Sequence, residues 1–498
     1  MYMNPLIIVD ALNVLAALFV CVVGAALAGL VILFIIDRFQ NKNAIRHNYP
    51  VIGRFRTLFI NLGEFFRQYF FAFDREELPF NRAERNWVYR AAANEDNTVP
   101  FGSTKLLTQP GTTIFINCPF PTLDSQAAKT KPRIIGPYAR KPYAAASTIN
   151  ISGMSFGALS APAVLALSKG AKIANCWMDT GEGGLSPYHL QGGADIVFQI
   201  GTAKYGVRTP DGQLDIARLA EIAALEQVKM IEIKFSQGAK PGKGGILPGI
   251  KVTPEIAAIR GIPAGQDSIS PNGHVGIDSV EKMLDFIDQV RTVTGKPTGV
   301  KAVLGAYGWV ESLCAEINRR GIESAPDFFT LDSGDGGTGA APLALIDNVG
   351  LLIHESLPML YDIFSAHGLE KRIPIVASGK LLTPADVAWA LCAGASFIHI
   401  ARGFLFSLGC IQALKCNRNT CPTGITTHNK RLQSGLNPED KAVKVANYAL
   451  NLHHEVEVIA HSCGVHEPRE LKRYHVRIVQ SNGRSVSLEE LYPYRARQ

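Results

Sequence analysis

The sequence lacks several features that would place it in a common functional class. Charged residues make up only 19% of its 498 residues, and the net charge of +7 is small for that length. It contains no stripe of interleaved basic and aromatic residues, which argues against nucleic-acid binding. It also has no repeat and no low-complexity tract, so a solenoid and a disordered array are both excluded.

Cysteine is scarce and is not spaced for disulfides or zinc. The chain has nine cysteines, and no pair has the C-x2-C spacing of a zinc knuckle. Unpaired cysteines favour a reducing compartment. Six of the nine stand singly, at Cys21, Cys118, Cys176, Cys314, Cys392 and Cys463.

The other three cysteines lie together in one short segment. Cys410, Cys416 and Cys421 have the spacing C-x5-C-x4-C, and Pro422 follows the last of them. Thiolates on a short, turning loop that ends in Cys-Pro are typical of iron–sulfur ligation, and three thiolates make a three-iron cluster the simplest interpretation. The alternative is that these cysteines are small buried hydrophobic residues.

No basic residue precedes the one long apolar run, from Ala11 to Ile36, whereas several follow it. A secretory signal needs basic residues before its apolar stretch, so cleavage is the weaker interpretation and a buried core helix the other alternative. As a helix the run is long enough to cross a bilayer. The basic residues after it predict a single-pass anchor in the cytoplasmic membrane, with the rest of the chain in the cytoplasm.

Residues 51–73 are rich in aromatic side chains and carry several arginines. This pattern fits an amphipathic helix at the membrane headgroups or, equally, a helix that packs on a core.

From residue 146 onward, short β-rich runs alternate with helical stretches. Buried parallel strands appear as continuous apolar runs, and eight of them alternating with helices predict a (β/α)8 TIM barrel, with a doubly wound sheet as the runner-up. Segment 235–296 is too long for one βα unit and predicts an insertion. The eight runs are 148–152, 176–180, 197–200, 230–234, 299–303, 328–332, 373–377 and 397–401.

We therefore divide the chain into four parts: an anchor (1–40), a juxtamembrane and N-terminal extension (41–145), the barrel with its cysteine loop (146–430) and a C-terminal helical extension (431–498). The extension should begin with a helix from Asn437 to Gly464, since Asn-Pro is a helix start and Gly a helix stop.

In TIM barrels, functional groups follow the strands at their carboxyl ends. Glu182 lies among glycines after the second strand, where a dry site would raise its pKa and make it a proton donor; a solvated loop residue is the alternative. Lys234 and Lys240 begin a glycine-rich loop that favours an anionic substrate such as a dicarboxylate, unless its lysines are merely solubilising. Lys301, inside a strand, should face the site and stabilise negative charge on a reduced flavin.

Residues 334–339 contain the pattern G-x-G-x-x-G, with Asp335, Gly336 and Gly337 at its centre. The segment follows the sixth strand of a series, so a loop at the barrel mouth is favoured over a Rossmann fingerprint. Gly379, and Arg402 with Gly403, follow the seventh and eighth strands, where barrels commonly bind phosphate.

Taken together, the motifs resemble the FMN-binding domain of the glutamate synthase large subunit across about 146–430. The matching segments are 152–160, 180–184, Gln199, 234–245, 247–249, 270–271, 335–339 and 410–424. The resemblance implies a TIM barrel that holds FMN and a 3Fe-4S cluster on the three cysteines. Electrons would pass from a separate donor through the cluster to FMN, and then as hydride to the imine of 2-oxoglutarate.

The resemblance also assigns roles to single residues. Lys234, Lys240 and Arg260 would hold the substrate carboxylates, with Glu182 near the reacting imine. By the same resemblance, the residues that would line the flavin are Met154, Ser155, Gln199, Lys301, Gly379 and Gly403. Asp335, Gly336, Gly337 and Arg402 are further candidates for binding the cofactor.

The chain departs from the family pattern in places. It has no amidotransferase domain and no C-terminal β-helix, as in stand-alone, membrane-anchored relatives of glutamate synthase. Lys243 replaces an acidic residue, and Ile246 replaces a glutamine that helps to hold 2-oxoglutarate. We expect an oxidoreductase acting on CH–NH2 donors, with a 2-oxo or 2-amino acid substrate. A membrane-bound flavin and iron–sulfur electron relay without amination, and a flavin 2-hydroxy-acid oxidase, are the alternatives.

Overall fold

A computed structural model describes residues 5–40, 44–128 and 130–495. The chain forms two compact units, one that ends at Ala83 and one that begins at Glu84.

The first unit is helical. Its helices are Pro5–Phe39, Ala44–Asn48 and Ile52–Phe66, followed by a π-helical turn at Arg67–Phe71. From Val9 onward the first helix is long and apolar enough to cross a membrane. At its end, the buried carboxylate of Asp37 accepts a hydrogen bond from Arg54 Nε at 2.7 Å and another from the Val51 amide. These bonds fix the turn into the third helix.

The aromatic segment is helical, as both of its interpretations predict, and four of its described rings are exposed. Phe55, Phe59, Phe70 and Phe71 are between 49% and 74% exposed. Its location at lipid headgroups stays a prediction.

The second unit is built on a closed barrel of eight parallel strands, each paired with the next and the eighth with the first. This confirms the predicted (β/α)8 barrel, and the doubly wound alternative is wrong. Barrel strands 1 to 8 are Ile149–Ile151, Met178–Asp179, Ile196–Ile200, Val228–Lys234, Thr298–Val303, Phe329–Asp332, Ile375–Ser378 and Phe397–Ile400.

Helices follow the barrel strands, and several begin at a capping side chain. Ser160, Asp215 and Ser279 each accept a hydrogen bond from a backbone amide in the first turn of their helix. The main helices of the barrel are Ala161–Ala174, Pro187–Gln191, Ile216–Ala224, Val280–Thr294, Gly308–Arg320, Ile353–Ala366, Pro384–Cys392 and Arg402–Ser407, with a short helix at Leu343–Ile346.

The predicted insertion after barrel strand 4 is present. Strands Ile246–Leu247 and Ser268–Ile269 pair in antiparallel fashion, and between them lie a 3-10 turn at Gly249–Lys251 and a helix at Pro254–Arg260. This insertion places polar side chains, among them Lys251 and Arg260, at the carboxyl end of the barrel.

A hairpin of strands Arg133–Ile135 and Tyr143–Ala145 covers the opposite end of the barrel. Its Ile135 and Ala145 pack with Trp177 and with residues at the start of the barrel strands, among them Phe328 and Phe397. This apolar layer closes the bottom of the barrel, so the opening is confined to the carboxyl end of the strands.

The predicted C-terminal helix is Pro438–Ser462, with Asn437 as its cap. It packs on helix Ala161–Ala174, where Gly170 leaves room for Val445. The sequence did not predict the strands that follow, Val476–Val479 and Ser485–Ser487, which form a three-stranded sheet with Thr113–Phe115. Helices Arg82–Ala93, Lys430–Gln433 and Leu488–Leu491 complete the α-helices of this unit.

At the bottom of the barrel, Asp327 pairs with two arginines. Its fully buried carboxylate accepts from Arg291 Nε at 2.9 Å, Arg372 Nη2 at 3.0 Å and the Thr298 amide at 2.8 Å. The substitution Asp327→Ala would leave two buried guanidinium groups without their counter-charge, so we expect it to lower the free energy of unfolding by about 3–5 kcal/mol.

Denaturant unfolding measures this loss, with Asp347→Ala, at an exposed aspartate, as the control. Equal stability of the two variants would show that the pair of arginines does not depend on Asp327.

Candidate active site

A cavity of about 150 Å³ opens at the carboxyl end of the barrel. The loops after the strands and the insertion both contribute to its wall. It brings together most of the residues singled out in the sequence, namely Met154, Ser155, Glu182, Gln199, Lys234, Lys240, Arg260, Lys301, Gly337, Arg402 and Cys416. Asp335, Gly336, Gly379, Gly403, Cys410 and Cys421 lie outside its lining.

Glu182 and Lys234 form an ion pair in this cavity, with Oε2 and Nζ 3.0 Å apart. Lys234 also donates to Gln237 Oε1 at 2.6 Å. Burial alone would raise the pKa of Glu182, but the charges of Lys234, Lys240 and Arg260 outweigh it and lower that pKa. Glu182 is therefore a carboxylate here, and the expectation of a raised pKa is wrong.

Two glycines make room for the carboxylate of Glu182. A Cβ on Gly201 would lie 2.6 Å from Glu182 Oε2, and one on Gly245 would lie 2.9 Å from its carboxyl carbon. Gly201, and Gly245 at the end of the glycine-rich loop, therefore leave the space that the Glu182 side chain occupies.

Lys240 and Arg260 bring further positive charge to the same wall. Lys240 donates to the Ala340 carbonyl at 3.2 Å, and burial lowers its pKa to about 8. The Arg260 guanidinium donates to the Phe156 carbonyl at 3.2 Å and lies over the Tyr205 ring at 5.0 Å. Its Nε is buried with no hydrogen-bond partner among the described residues. A bound anion would satisfy both cations.

Lys301 lies deep in the cavity and is buried, as predicted for a strand residue that faces the site. Its Nζ is 3.7 Å from Asp332 Oδ2. Burial opposes its charge, but Asp332 and Glu232 more than compensate, and the pKa of Lys301 is raised. Lys301 is therefore a fixed positive charge.

Arg402 joins the cavity to the cysteine loop. Its Nη2 donates to the Thr338 carbonyl at 2.6 Å, and its Nη1 is 3.9 Å from Cys416 Sγ. Gly337 packs against this side chain, since a Cβ there would lie 3.0 Å from Arg402 Nε.

The residues outside the lining have other neighbours. Asp335 pairs with Lys380 at 2.8 Å and also accepts from Ser333. Gly379 packs against the Ser333 side chain, and Gly403 against the hydroxyl of Tyr448, so a side chain at either position would clash. Packing accounts for both glycines, and a contact with phosphate stays a prediction.

The three clustered cysteines line one small apolar cavity of about 20 Å³ next to the first. The loop turns tightly, with positive φ at Gln412, Leu414 and Asn419. The Gln412 amide donates toward Cys410, and burial nevertheless raises the pKa of this thiol. Hydrogen bonds from Thr423 and Thr426 outweigh burial and lower the pKa of Cys421. Thiol groups that converge and accept amide bonds fit an iron–sulfur cluster.

Sequence reasoning missed Lys251, which lies between the two cavities. Its buried Nζ donates to the Ala158 carbonyl at 2.8 Å and to the Cys416 carbonyl at 3.2 Å. No motif marks this lysine, because only the fold of the insertion brings it to the cysteine loop.

Comparison with known proteins identifies the family of this chain. The profile of the conserved region in glutamate synthase matches residues 106–466. The chain belongs to the glutamate synthase family. This confirms the resemblance read from the motifs.

Curated relatives agree with this assignment. The glutamate synthase large subunit-like protein YerD of Bacillus subtilis is 36% identical over 521 aligned residues, which cover 96% of this chain and 98% of that protein. The archaeal glutamate synthase [NADPH] of Methanocaldococcus jannaschii is 36% identical over 327 residues, which cover 65% of this chain and 60% of that protein. The chain thus spans less than two thirds of the archaeal relative.

The low pKa of Lys240 predicts how anion binding depends on pH. Lys240 is protonated below about 8 and loses its charge above it, so the affinity for succinate should fall as the pH rises through about 8. Titration calorimetry between pH 6.5 and 9.5 measures this. Lys240→Arg, which keeps its charge over this range, should make the profile less steep, and the remaining slope belongs to Lys251, whose pKa burial also lowers to about 8. An unchanged profile in that variant would assign the effect to another group.

Proposed function

We propose that this protein is an FMN- and iron–sulfur-dependent oxidoreductase that reductively aminates 2-oxoglutarate or a related 2-oxo acid, with electrons from a separate donor. The observation that carries the proposal is the shared wall of the two cavities. Lys234, Lys240 and Arg260 line the same cavity as Cys416, the middle member of the cysteine loop. Membership of the glutamate synthase family supports the same reaction.

The chain's own residues fit a flavin nucleotide. Lys301 supplies a fixed positive charge in the cavity, which suits the ring of a reduced flavin, and Arg402 supplies a second one for phosphate. Gly339 also lines the cavity, and the space beside it is open, since a Cβ there would meet no atom within 4 Å. When bound, FMN would accept electrons one at a time and deliver them as a pair.

The cysteine loop fits a 3Fe-4S cluster. Cys410, Cys416 and Cys421 would be its ligands, with Arg402 and Lys251 placing positive charge on the side that faces the substrate cavity. When bound, such a cluster would accept electrons from the donor protein.

The substrate's carboxylates would be held by Lys234, Lys240 and Arg260, as charge complementarity requires. Overall, a 2-oxo acid, ammonia, two electrons and two protons give a 2-amino acid and water. Lys240 Nζ, with its pKa of about 8, is able to release a proton near neutral pH, whereas the lowered pKa of Glu182 keeps that side chain a carboxylate. Glu182 would thus act near the imine as an electrostatic anchor for positive charge.

We further propose that the helix ending at Phe39 anchors the protein in the cytoplasmic membrane, with the barrel in the cytoplasm. The absence of basic residues before the apolar run and their abundance after it supports this orientation.

One observation favours the second candidate, an electron relay without amination. Ile246 lines the cavity, whereas Lys243 is exposed and outside it. An isoleucine cannot donate a hydrogen bond to a second carboxylate, which weakens the case for a dicarboxylate in particular.

An assay of product separates the two functions. We expect chemically reduced protein, incubated with 2-oxoglutarate and ammonium, to form glutamate at a rate at least tenfold above that of Lys234→Met, which lacks the partner of Glu182. Mass spectrometry of ¹⁵N-glutamate from ¹⁵N-ammonium measures the product. Flavin that reduces and reoxidises without any labelled glutamate would favour the relay.

A second prediction concerns the cluster. Cys416→Ala should lose most of the bound iron while keeping some FMN, because Lys301 and Arg402, which would hold the flavin, lie outside the cysteine loop. Iron analysis and the flavin absorbance of anaerobically purified protein measure the iron and FMN contents. Cys314→Ala, at a buried cysteine outside the loop, is the control. A full complement of iron in Cys416→Ala would rule out the ligand assignment.

A further inference from the structure

Beneath the cavity, the interior of the barrel contains ionisable side chains where apolar ones are usual. Asp179 of barrel strand 2, Glu232 of strand 4 and His399 of strand 8 are all buried, and one oxygen or nitrogen atom of each lies within 4.8 Å of the others. These three side chains are connected to the cavity wall, since the backbone amide of Gly181, which lines the cavity, donates to Asp179 Oδ1 at 2.7 Å.

A single amide bridges the two carboxyl groups. Gln199 Nε2 donates to Glu232 Oε1 at 2.7 Å and lies 3.4 Å from Asp179 Oδ2. Two carboxylates at this separation, with no exposed surface, repel each other strongly, so the stable form of such a pair retains one proton.

The hydrogen bonds indicate which group carries the remaining charge. Glu232 accepts from Gln199 and from the Thr330 hydroxyl, whereas Asp179 has the Gly181 amide and the longer contact with Gln199. Burial and the charge of Glu232 raise the pKa of Asp179 well above its usual range. Burial acts on Glu232 as well, but the charge of Lys301 and the hydrogen bond from Thr330 oppose it, and the pKa of Glu232 is lowered.

The other ionisable groups around the pair are Lys301, Asp332 and His399. Asp332 faces Lys301 at 3.7 Å and accepts from the Gly238 amide at 3.0 Å. His399 Nε2 accepts from Trp177 Nε1 at 2.7 Å, and burial lowers the pKa of His399 to about 4, so this ring is neutral. Lys301 is thus the one cation in the group, opposed by Asp332 and by the single charge of the pair.

We propose that Asp179 and Glu232 hold one proton between them, and that the negative charge they retain keeps Lys301 protonated at the base of the cavity. Asp179, Gln199 and Glu232 are then positioning residues, which act through Lys301. Where FMN is bound, a consequence that rests on the proposed function, the pair sets the charge felt by its ring.

The first test requires no cofactor. At pH 7 the infrared spectrum of the full-length protein should contain the carbonyl stretch of a protonated carboxylic acid that disappears in Asp179→Asn. It should also disappear in Glu232→Gln, because Asp179 then becomes the ionised partner of Lys301. Exposed Glu221 provides the control, and Glu221→Gln should leave the band in place. If Asp179→Asn removes no such band, the proposal is wrong.

The second test measures the midpoint potential of the bound flavin, and the effects of the two substitutions should not add. Each single variant retains one negative charge, so Asp179→Asn and Glu232→Gln should leave the flavin midpoint potential at its wild-type value. The double variant has lost that charge, so Lys301 should lose its proton and the potential should become more negative, because the reduced ring then lacks its nearby cation. A merely structural role would not give this pattern, since all the replacements have nearly the same shape.

The proposal would also be wrong if the wild type showed no such band, if Asp179→Asn alone shifted the flavin potential as much as the double variant, or if the protein held a stoichiometric divalent metal ion that is lost in Glu232→Gln. Protein that binds no flavin would contradict the proposed function, and the infrared result would still decide the state of the pair.

Discussion

Buried positive charge is the constraint on which this structure depends. Six basic side chains reach one cavity, and Glu182 supplies the one carboxylate among the described residues that line it. The six are Lys234, Lys240, Lys251, Arg260, Lys301 and Arg402. Because removing cations from water is costly, such a group requires anionic partners. The partners of the proposed reaction, a nucleotide phosphate, a 2-oxo acid and an iron–sulfur cluster with thiolate ligands, are all anionic.

The fold gathers these charges from separate parts of the chain. Barrel strand 4 contributes Lys234 at its carboxyl end and strand 5 contributes Lys301 from its interior, while the insertion after strand 4 contributes Lys240, Lys251 and Arg260. Closure of the bottom of the barrel by an apolar hairpin leaves one open end, so all of them meet there. Arg402 then connects this end to the cysteine loop through Thr338 and Cys416. One side chain therefore joins the cavity to the cysteine loop.

Much of this arrangement could be predicted from the sequence, and the exceptions have physical reasons. Eight apolar runs indicated the barrel because parallel strands are buried on both faces, and Glu182 and Lys234 were identified because each follows a strand. The pKa of Glu182 could not be predicted, since it depends on lysines that converge only in the fold. Lys251 carries no motif, and the strands near the C-terminus are only four and three residues long. The pairing of Asp179 with Glu232 could not be predicted, because each lies within an apolar run that indicates only a buried strand.

We propose that the cavity and the cysteine loop hold FMN and a 3Fe-4S cluster side by side. Flavin and iron analysis of full-length protein, purified without oxygen from cells supplied with riboflavin and iron, tests this arrangement. We expect a yellow-brown protein with FMN bound and about three iron atoms per flavin, as a 3Fe-4S cluster contains. Colourless protein without iron, folded and stable, would contradict it.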